Sequence, residues 1–371
     1  MTGRPGASGL RAARAARGWS QSQAARELAA LAQAGGAPVA GAASLKTLLS
    51  RWENGHAVPE PQYRTLLSEL YGRTPAELGI AGPPADPQAT GAPARLRAAL
   101  AAAAAVDAAA LELWREQLHV AIRLDDELGA TGAGDLVRAL VDRLDETLQH
   151  TISPSRRTTM AAVLAPAAAL AGAQELDRGR PDLAWHRYDR ARTAAAEARL
   201  PDAVADAVAG QAIVLVDVGE ATSAGVLLDA AEPELPHVAH PRLAGARAIA
   251  AAALGDAAGA HRAIAAASER PFRADAAEPA VAVELADLHR WHGHALAVLG
   301  DPAAADPLRR ALSAPPRSVR NRAAVHADLA LALAAEHPQE AAVHARAARE
   351  LAERIGSART EARLAALRPQ G

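Results

Sequence analysis

Few residues in this chain have the types and spacing to do chemistry. His289, His292 and His294 in LHRWHGHAL place three imidazoles within six residues. The first two stand at i, i+3 and so can share a helix face. A metal site needs three or four ligands with supporting partners behind them. With no Cys nearby and Gly293 inside the motif, ordinary helix surface and inter-helix packing is the reading adopted, and no metal is expected. Trp185, His186 and Tyr188 in DLAWHRYDRA bring two large aromatics into a chain with few. At i, i+3 they read as core filling, with a ligand clamp as the alternative. The phosphate loop GxxxxGK[ST], the GxSxG elbow and the HExxH pair do not occur. The absence of cysteine removes disulfides, iron–sulfur clusters, zinc–thiolate sites and thiol nucleophiles. The chain is therefore expected not to be an enzyme and to carry no cofactor.

Composition says what must position these groups. A chain of 371 residues has room for two domains of roughly 100–200 residues each. Hydrophobic residues make up 50% but aromatics only 2%, with Ala filling much of the apolar share. Ala is the best helix former and a poor strand former, so the chain is expected to be mainly helical, with close helix–helix contacts. No strongly apolar run of about 18 residues is found. The Ala stretch around 98–110 is weakly hydrophobic and interrupted by Asp107, and MTGRPGASGLRAARAARG lacks an apolar targeting segment. A cytoplasmic protein is the expectation. Lys46 is the single lysine among 40 basic residues. The other arginines, with abundant Ala, Gly and Pro, fit a GC-rich codon bias, so their number alone implies no function. Their distribution is more informative. Residues 1–80 hold nine basic against five acidic residues, net +4, and the remainder 31 against 37, net −6. A basic head on an acidic body suggests a polyanionic partner for the head alone.

The head ends at residues 81–94, AGPPADPQATGAPA, a Pro/Gly/Ala linker. Five short helices are expected before it. The first runs from about Ala7 to Arg17 and stops at Gly18. The second is capped by Ser20 and continues through QSQAARELAALAQ. After a loop over 34–42 comes SLKTLLSRWEN, capped by Ser44 and closed by a left-handed Asn54-Gly55 pair. Pro59 is expected to open a fourth helix, and Thr74-Pro75 a short fifth, TPAELG. Leu45, Leu48, Leu49, Leu66, Leu67 and Leu70 read as core, as does Trp52 against the first helix. Glu53 is expected to pair with Arg11 or Arg14, because a carboxylate near phosphate is repelled. Beyond the linker, breaks of the form apolar helix end, Gly, then Asp or Pro recur at Gly179, Gly219, Gly255 and Gly300, with a degenerate copy at His337-Pro338. The steps of 40, 36, 45 and 37 residues lie near the roughly 34-residue helix–turn–helix repeat. Residues 96–150 read as long helices outside this pattern, a spacer or dimerisation segment. An unrelated Ala-rich bundle is the alternative.

The segment Leu10–Ile80 resembles the lambda-repressor-like (XRE-type) helix-turn-helix family. The resemblance rests on LRAARAARGWSQSQAARELA and SLKTLLSRWENGHAVPEPQYRTLLSELYGRTPAELG, with Gly-x-Ser-Gln before helix two and Ser-Arg-Trp-Glu-Asn-Gly at the end of helix three. It covers about a fifth of the chain. The loop between helices two and three is longer than the family's tight turn, which leaves the register of the recognition helix open. The resemblance implies double-stranded DNA as partner, with the third helix in the major groove. Lys46 in the first turn can donate to guanine O6 and N7. Thr47 can hydrogen-bond or touch a thymine methyl, and Ser50 lies one turn on. Gln21 matches the family's phosphate-contacting glutamine, and Arg51 is a further phosphate candidate. A homodimer is expected, because one module alone reads only a short half-site.

The body resembles the irregular tetratricopeptide-like domains that follow such heads in bacterial regulators, best in LAGAQELDRGRPDLAWHRYDRARTAAAEA. Stacked helix pairs of that kind present a concave surface suited to a peptide, small molecule or protein ligand. Polar residues on its Ala-rich first helices are candidates to line it: Gln174, Gln211, Arg290, His294, Asn321 and Arg322. The whole then reads as all-α. A five-helix lambda-repressor-like domain over 1–80 is followed by the linker, a helical spacer over 95–155 and an α-solenoid of irregular tetratricopeptide-like pairs over 156–371. The function expected is sequence-specific transcriptional regulation with a sensing body. The alternatives are a protein-interaction scaffold or an antitoxin-like inhibitor with an autoregulatory head.

Overall fold

The structure is a computed structural model that describes residues 8–34, 41–55, 57–80, 92–231, 233, 235, 241–268, 285–313 and 318–367. Among these residues every regular element is helical. The chain forms two compact units, Met1–Arg97 and Ala98–Gly371.

Unit 1 holds α1 (Ser8–Ala16), α2 (Gln21–Ala34), α3 (Ala42–Glu53) and α4 (Pro61–Tyr71). Gly18, at φ +64, ends α1. Ser20 caps α2, its hydroxyl oxygen accepting from the Gln23 amide at 3.1 Å. Three boundaries differ from the sequence reading. α3 begins at Ala42, so Ser44 lies inside it rather than at its cap, as expected of a helix extended by two strong formers. At its end only Gly55 is left-handed, at φ +70; Asn54 has φ −95. α4 starts at Pro61, not Pro59. The expected fifth helix is a single hydrogen-bonded turn. Glu77 accepts from the Thr74 amide and hydroxyl at 2.8 Å each, then Gly79 at φ +67 stops it. The expected loop over 34–42 and linker over 81–94 fall largely outside the described residues; α5 (Ala92–Ala104) follows. Leu10, Leu28, Leu45, Leu49, Leu67 and Leu78 are fully buried at the centre of unit 1, each contributing about 1.5–3 kcal/mol by burial. Leu48 and Leu70 are half-buried.

Unit 2 begins with α6 (Ala108–Gln149), capped by Asp107 and broken at Gly129. Helix hairpins follow: α7 (Pro154–Asp177) with α8 (Pro181–Glu197), α9 (Pro201–Asp217) with α10 (Ala221–Ala231), and α11 (Pro241–Ala253) with α12 (Ala257–Ser268). Next come α13 (Leu285–Val298) with α14 (Ala305–Ser313), then α15 (Val319–Leu333) with α16 (Pro338–Ile355); α17 (Ala358–Ala365) is last. The turns inside the first four hairpins pass through Gly179, Gly219, Gly255 and Gly300 at φ +73, +86, +76 and +69. Only glycine enters that region without strain, which is why these breaks were readable. Each first helix packs on its own partner and on the first helix of the next hairpin. The interfaces are lined by Ala, as where Ala167, Ala168 and Ala171 meet Ala191, Ala194 and Ala195. The stack returns on itself: α6 packs on α15 and α16, and α17 on α7. α7 is long and apolar enough to match a membrane span, but 67% of its apolar window is buried inside the unit.

Candidate functional site

Two places in the molecule gather polar side chains that the core does not need. The first is the outer face of α3. Leu45, Leu49 and Trp52, at i, i+4 and i+7, point inward and are buried, the Trp52 ring lying 5.2 Å from that of Tyr63. The opposite face carries Lys46, Thr47 and Arg51, all exposed, and half-buried Ser50. The spacing of four residues between Lys46 and Ser50, and between Thr47 and Arg51, stacks them on one side of the helix.

The base of α3 is held by a buried ionic cluster. Arg14 Nε and Nη2 donate to the two Glu53 oxygens at 2.6 and 3.0 Å, and Gln21 Nε2 donates to Glu53 Oε2 at 2.9 Å. Arg11 adds a long ion pair to Glu53 at 3.9 Å and bonds Asn54. Burial alone raises the Glu53 carboxyl, but the bonds from Arg14 and Gln21 win and hold it below the ordinary value. Burial pushes the neighbouring Tyr71 hydroxyl up to about 12. Gln21 thus gives one of its two amide N–H groups to Glu53, and its second N–H is the donor that remains for another acceptor.

The second place is inside unit 2, where α6, α7, α8, α9, α11, α13, α15 and α17 line a half-open cavity of about 730 Å³. Cavities that take small organic ligands run to roughly 300–1,000 Å³. Tyr188 forms part of its wall, its ring wedged between Gly172 of α7 and Gly210 of α9, where a Cβ on either would overlap it. Trp291 forms another part, with the Arg290 guanidinium 5.3 Å over its ring. Around them run Asp–Arg pairs. Arg320 of α15 donates to both Asp125 oxygens at 2.8 Å and lies 3.4 Å from Asp177. Arg242 pairs with Asp206 at 3.1 Å, Arg290 with Asp287 at 3.1 Å, and Arg359 with Asp217. Asp328 serves both His294, at 3.0 Å, and Arg363, at 3.5 Å. Burial and nearby guanidiniums pull the His294 imidazole below its ordinary value despite Asp328.

Of the six lining candidates named from sequence, Arg290, His294 and Asn321 stand on this wall. Gln174 is buried one layer behind, donating to Asp125 at 2.8 Å. Gln211 is buried away from the cavity, and Arg322 is exposed elsewhere. The three histidines do not converge. His294 faces the cavity, whereas His292 meets the His261 ring edge-on at 6.1 Å. Among the described residues no group of three His, Asp or Glu could hold a metal ion. Sequence reasoning missed Asp125, Asp177, Arg320, Asp328, Arg359 and Arg363. The available signal was a charged residue amid apolar neighbours, as in HADLALAL around Asp328. Compared with known protein families, curated proteins and solved structures, the chain matches none.

Proposed function

We propose that the protein is a cytoplasmic, sequence-specific DNA-binding regulator of transcription, with a helix-turn-helix head and a tetratricopeptide-like body that senses a ligand. The observation that carries this reading is the solvent face of α3, where Lys46, Thr47, Ser50 and Arg51 stand together opposite the Leu45–Leu49–Trp52 core. A helix supported in that way has donors of the kind that read base edges, Lys46 toward guanine and Thr47 toward thymine, with Arg51 and Gln21 on phosphate. The net +4 of residues 1–80 favours a polyanion. The protein works as a homodimer in this reading, because one module reads too short a half-site alone. The hairpin stack of unit 2, with its half-open cavity, is the sensing element, biasing the heads by differential affinity for ligand.

The test is binding-site selection on genomic DNA with the purified full-length protein at two salt concentrations. A paired motif that survives the higher salt is expected. Lys46→Ala should then weaken binding to that motif by about 1–3 kcal/mol if it reads a guanine. Diffuse binding erased by salt overturns the sequence-specific reading, and unchanged affinity of Lys46→Ala removes Lys46 from the reading set.

A further inference from the structure

Arginines and aspartates line the unit 2 cavity in equal number, six of each, but their hydrogen bonds are unevenly shared. Arg290 and His294 stand at i, i+4 on α13, and Arg359 and Arg363 at i, i+4 on α17, so each pair shares a helix face. All four line the cavity, and Asp328 of α15 ties the two helices together through His294 and Arg363. Three guanidiniums therefore lie near one another in a half-open space. Their hydrogen bonding is incomplete. Arg363 lies 3.5 Å from Asp328, which His294 already bonds at 3.0 Å, and feels Asp217 at longer range. Among the described residues, buried Arg290 Nε has no hydrogen-bond partner. A guanidinium carries five donors, and leaving them unmet in a buried site is unfavourable. Burial, together with the positive charge of Arg359 and Arg290, pulls Arg363 below the ordinary arginine value. Apolar side chains share the wall with these charges, and Ile213, Ile249 and Trp291 pack together there.

We propose that this cavity binds a monoanionic organic carboxylate with an apolar body, its carboxylate held by Arg363 and Arg290 and its body lying on the Trp291–Ile249–Ile213 wall. Carboxylate geometry suits the guanidinium fork. Asp217, Asp287 and Asp328 stand beside the same arginines and repel every added negative charge, so a monoanion is opposed less than a doubly charged phosphate. The volume admits a ligand of ordinary small-molecule size. This deepens the sensing role proposed for unit 2, but the site is testable without DNA.

The probe is 1-anilinonaphthalene-8-sulfonate, an aromatic body with one anionic group, compared with N-phenyl-1-naphthylamine, the same body without charge. The full-length protein should bind the anionic probe saturably and at least about tenfold more tightly than the neutral one. Octanoate should displace it and octan-1-ol at equal concentration should not. Arg363→Gln, with helical circular dichroism retained, should lose about tenfold in affinity for the anionic probe and leave the neutral probe unchanged. Equal binding of the two probes, or equal displacement by octanoate and octan-1-ol, overturns the proposal. Both comparisons use the unaltered protein, so they stand even if the variant fails to fold. Displacement by octanoate with no change in DNA affinity upholds the site while removing its sensory role. No preference for the anion alongside intact DNA binding removes the site and leaves the DNA-binding reading in place.

Discussion

Glu53 shows how one buried residue organises the head. Its carboxylate is enclosed at the end of α3 and takes donors from α1 and α2, through Arg14 and Gln21. Removing it strands the Arg14 guanidinium, whose side chain is 17% exposed. Glu53→Ala should lower the stability of unit 1 by about 3–5 kcal/mol, read as urea unfolding followed by the fluorescence of Trp19 and Trp52. Acid should act through the same group. The Glu53 carboxyl lies below its ordinary value of 4.5 in the folded state, so its stabilisation is complete above about that pH and is lost as pH falls through the folded value. Glu53→Gln should flatten that limb of the stability curve; an unchanged acid limb would exclude Glu53 as its source. Pairing with Arg11 or Arg14 was legible from sequence because a carboxylate on a helix expected to meet phosphate is better placed inward. The bond from Gln21 was not, because an uncharged amide carries no sign that marks a carboxylate as its partner.

At the level of elements, glycine acts in two separable ways. Gly219 turns α9 into α10 at φ +86 with open space around the missing Cβ, so Gly219→Ala should cost only the left-handed strain, about 1–2 kcal/mol. Gly210 lies inside α9 against the Tyr188 ring, and Gly210→Ala should cost about 1–3 kcal/mol by overpacking. Tyr188→Leu should relieve the second penalty and leave the first unchanged, as denaturant-unfolding cycles can read. Additive effects at both glycines would refute the wedge. The hairpin turns were legible because Gly at a helix end announces its own backbone geometry. The fifth helix of the head was misjudged because TPAELG has a good start but meets Gly79 after one turn.

Across the whole of unit 2, a few ion pairs join its last helices to its first. Arg320 reaches Asp125, 195 positions earlier, and lies beside Asp177 as well. Asp177 in turn accepts from Ser357 at 2.6 Å, and Arg359 bonds Asp217. Arg320→Met should leave two buried carboxylates without their cation and cost about 3–5 kcal/mol. Hydrogen exchange should quicken in α15 to α17 and in the part of α6 around Asp125, with α10 to α12 little changed. Uniform acceleration across the unit would show that Arg320 does not act as a closure.

What the chain determined on its own is local. Ala content set the helical class, glycines and prolines set the turns, and the pattern of Leu and Trp set which face of α3 is inward and which carries Lys46 and Arg51. Those properties depend on backbone preference and helical period, which act within a few residues. The polar cavity depended on tertiary structure. Its arginines and aspartates come from α6, α7, α9, α11, α13, α15 and α17, and each alone looks like an ordinary charged residue on an Ala-rich helix. Only the return of the last hairpin onto the first turns those scattered charges inward, where low dielectric makes every unmatched donor count.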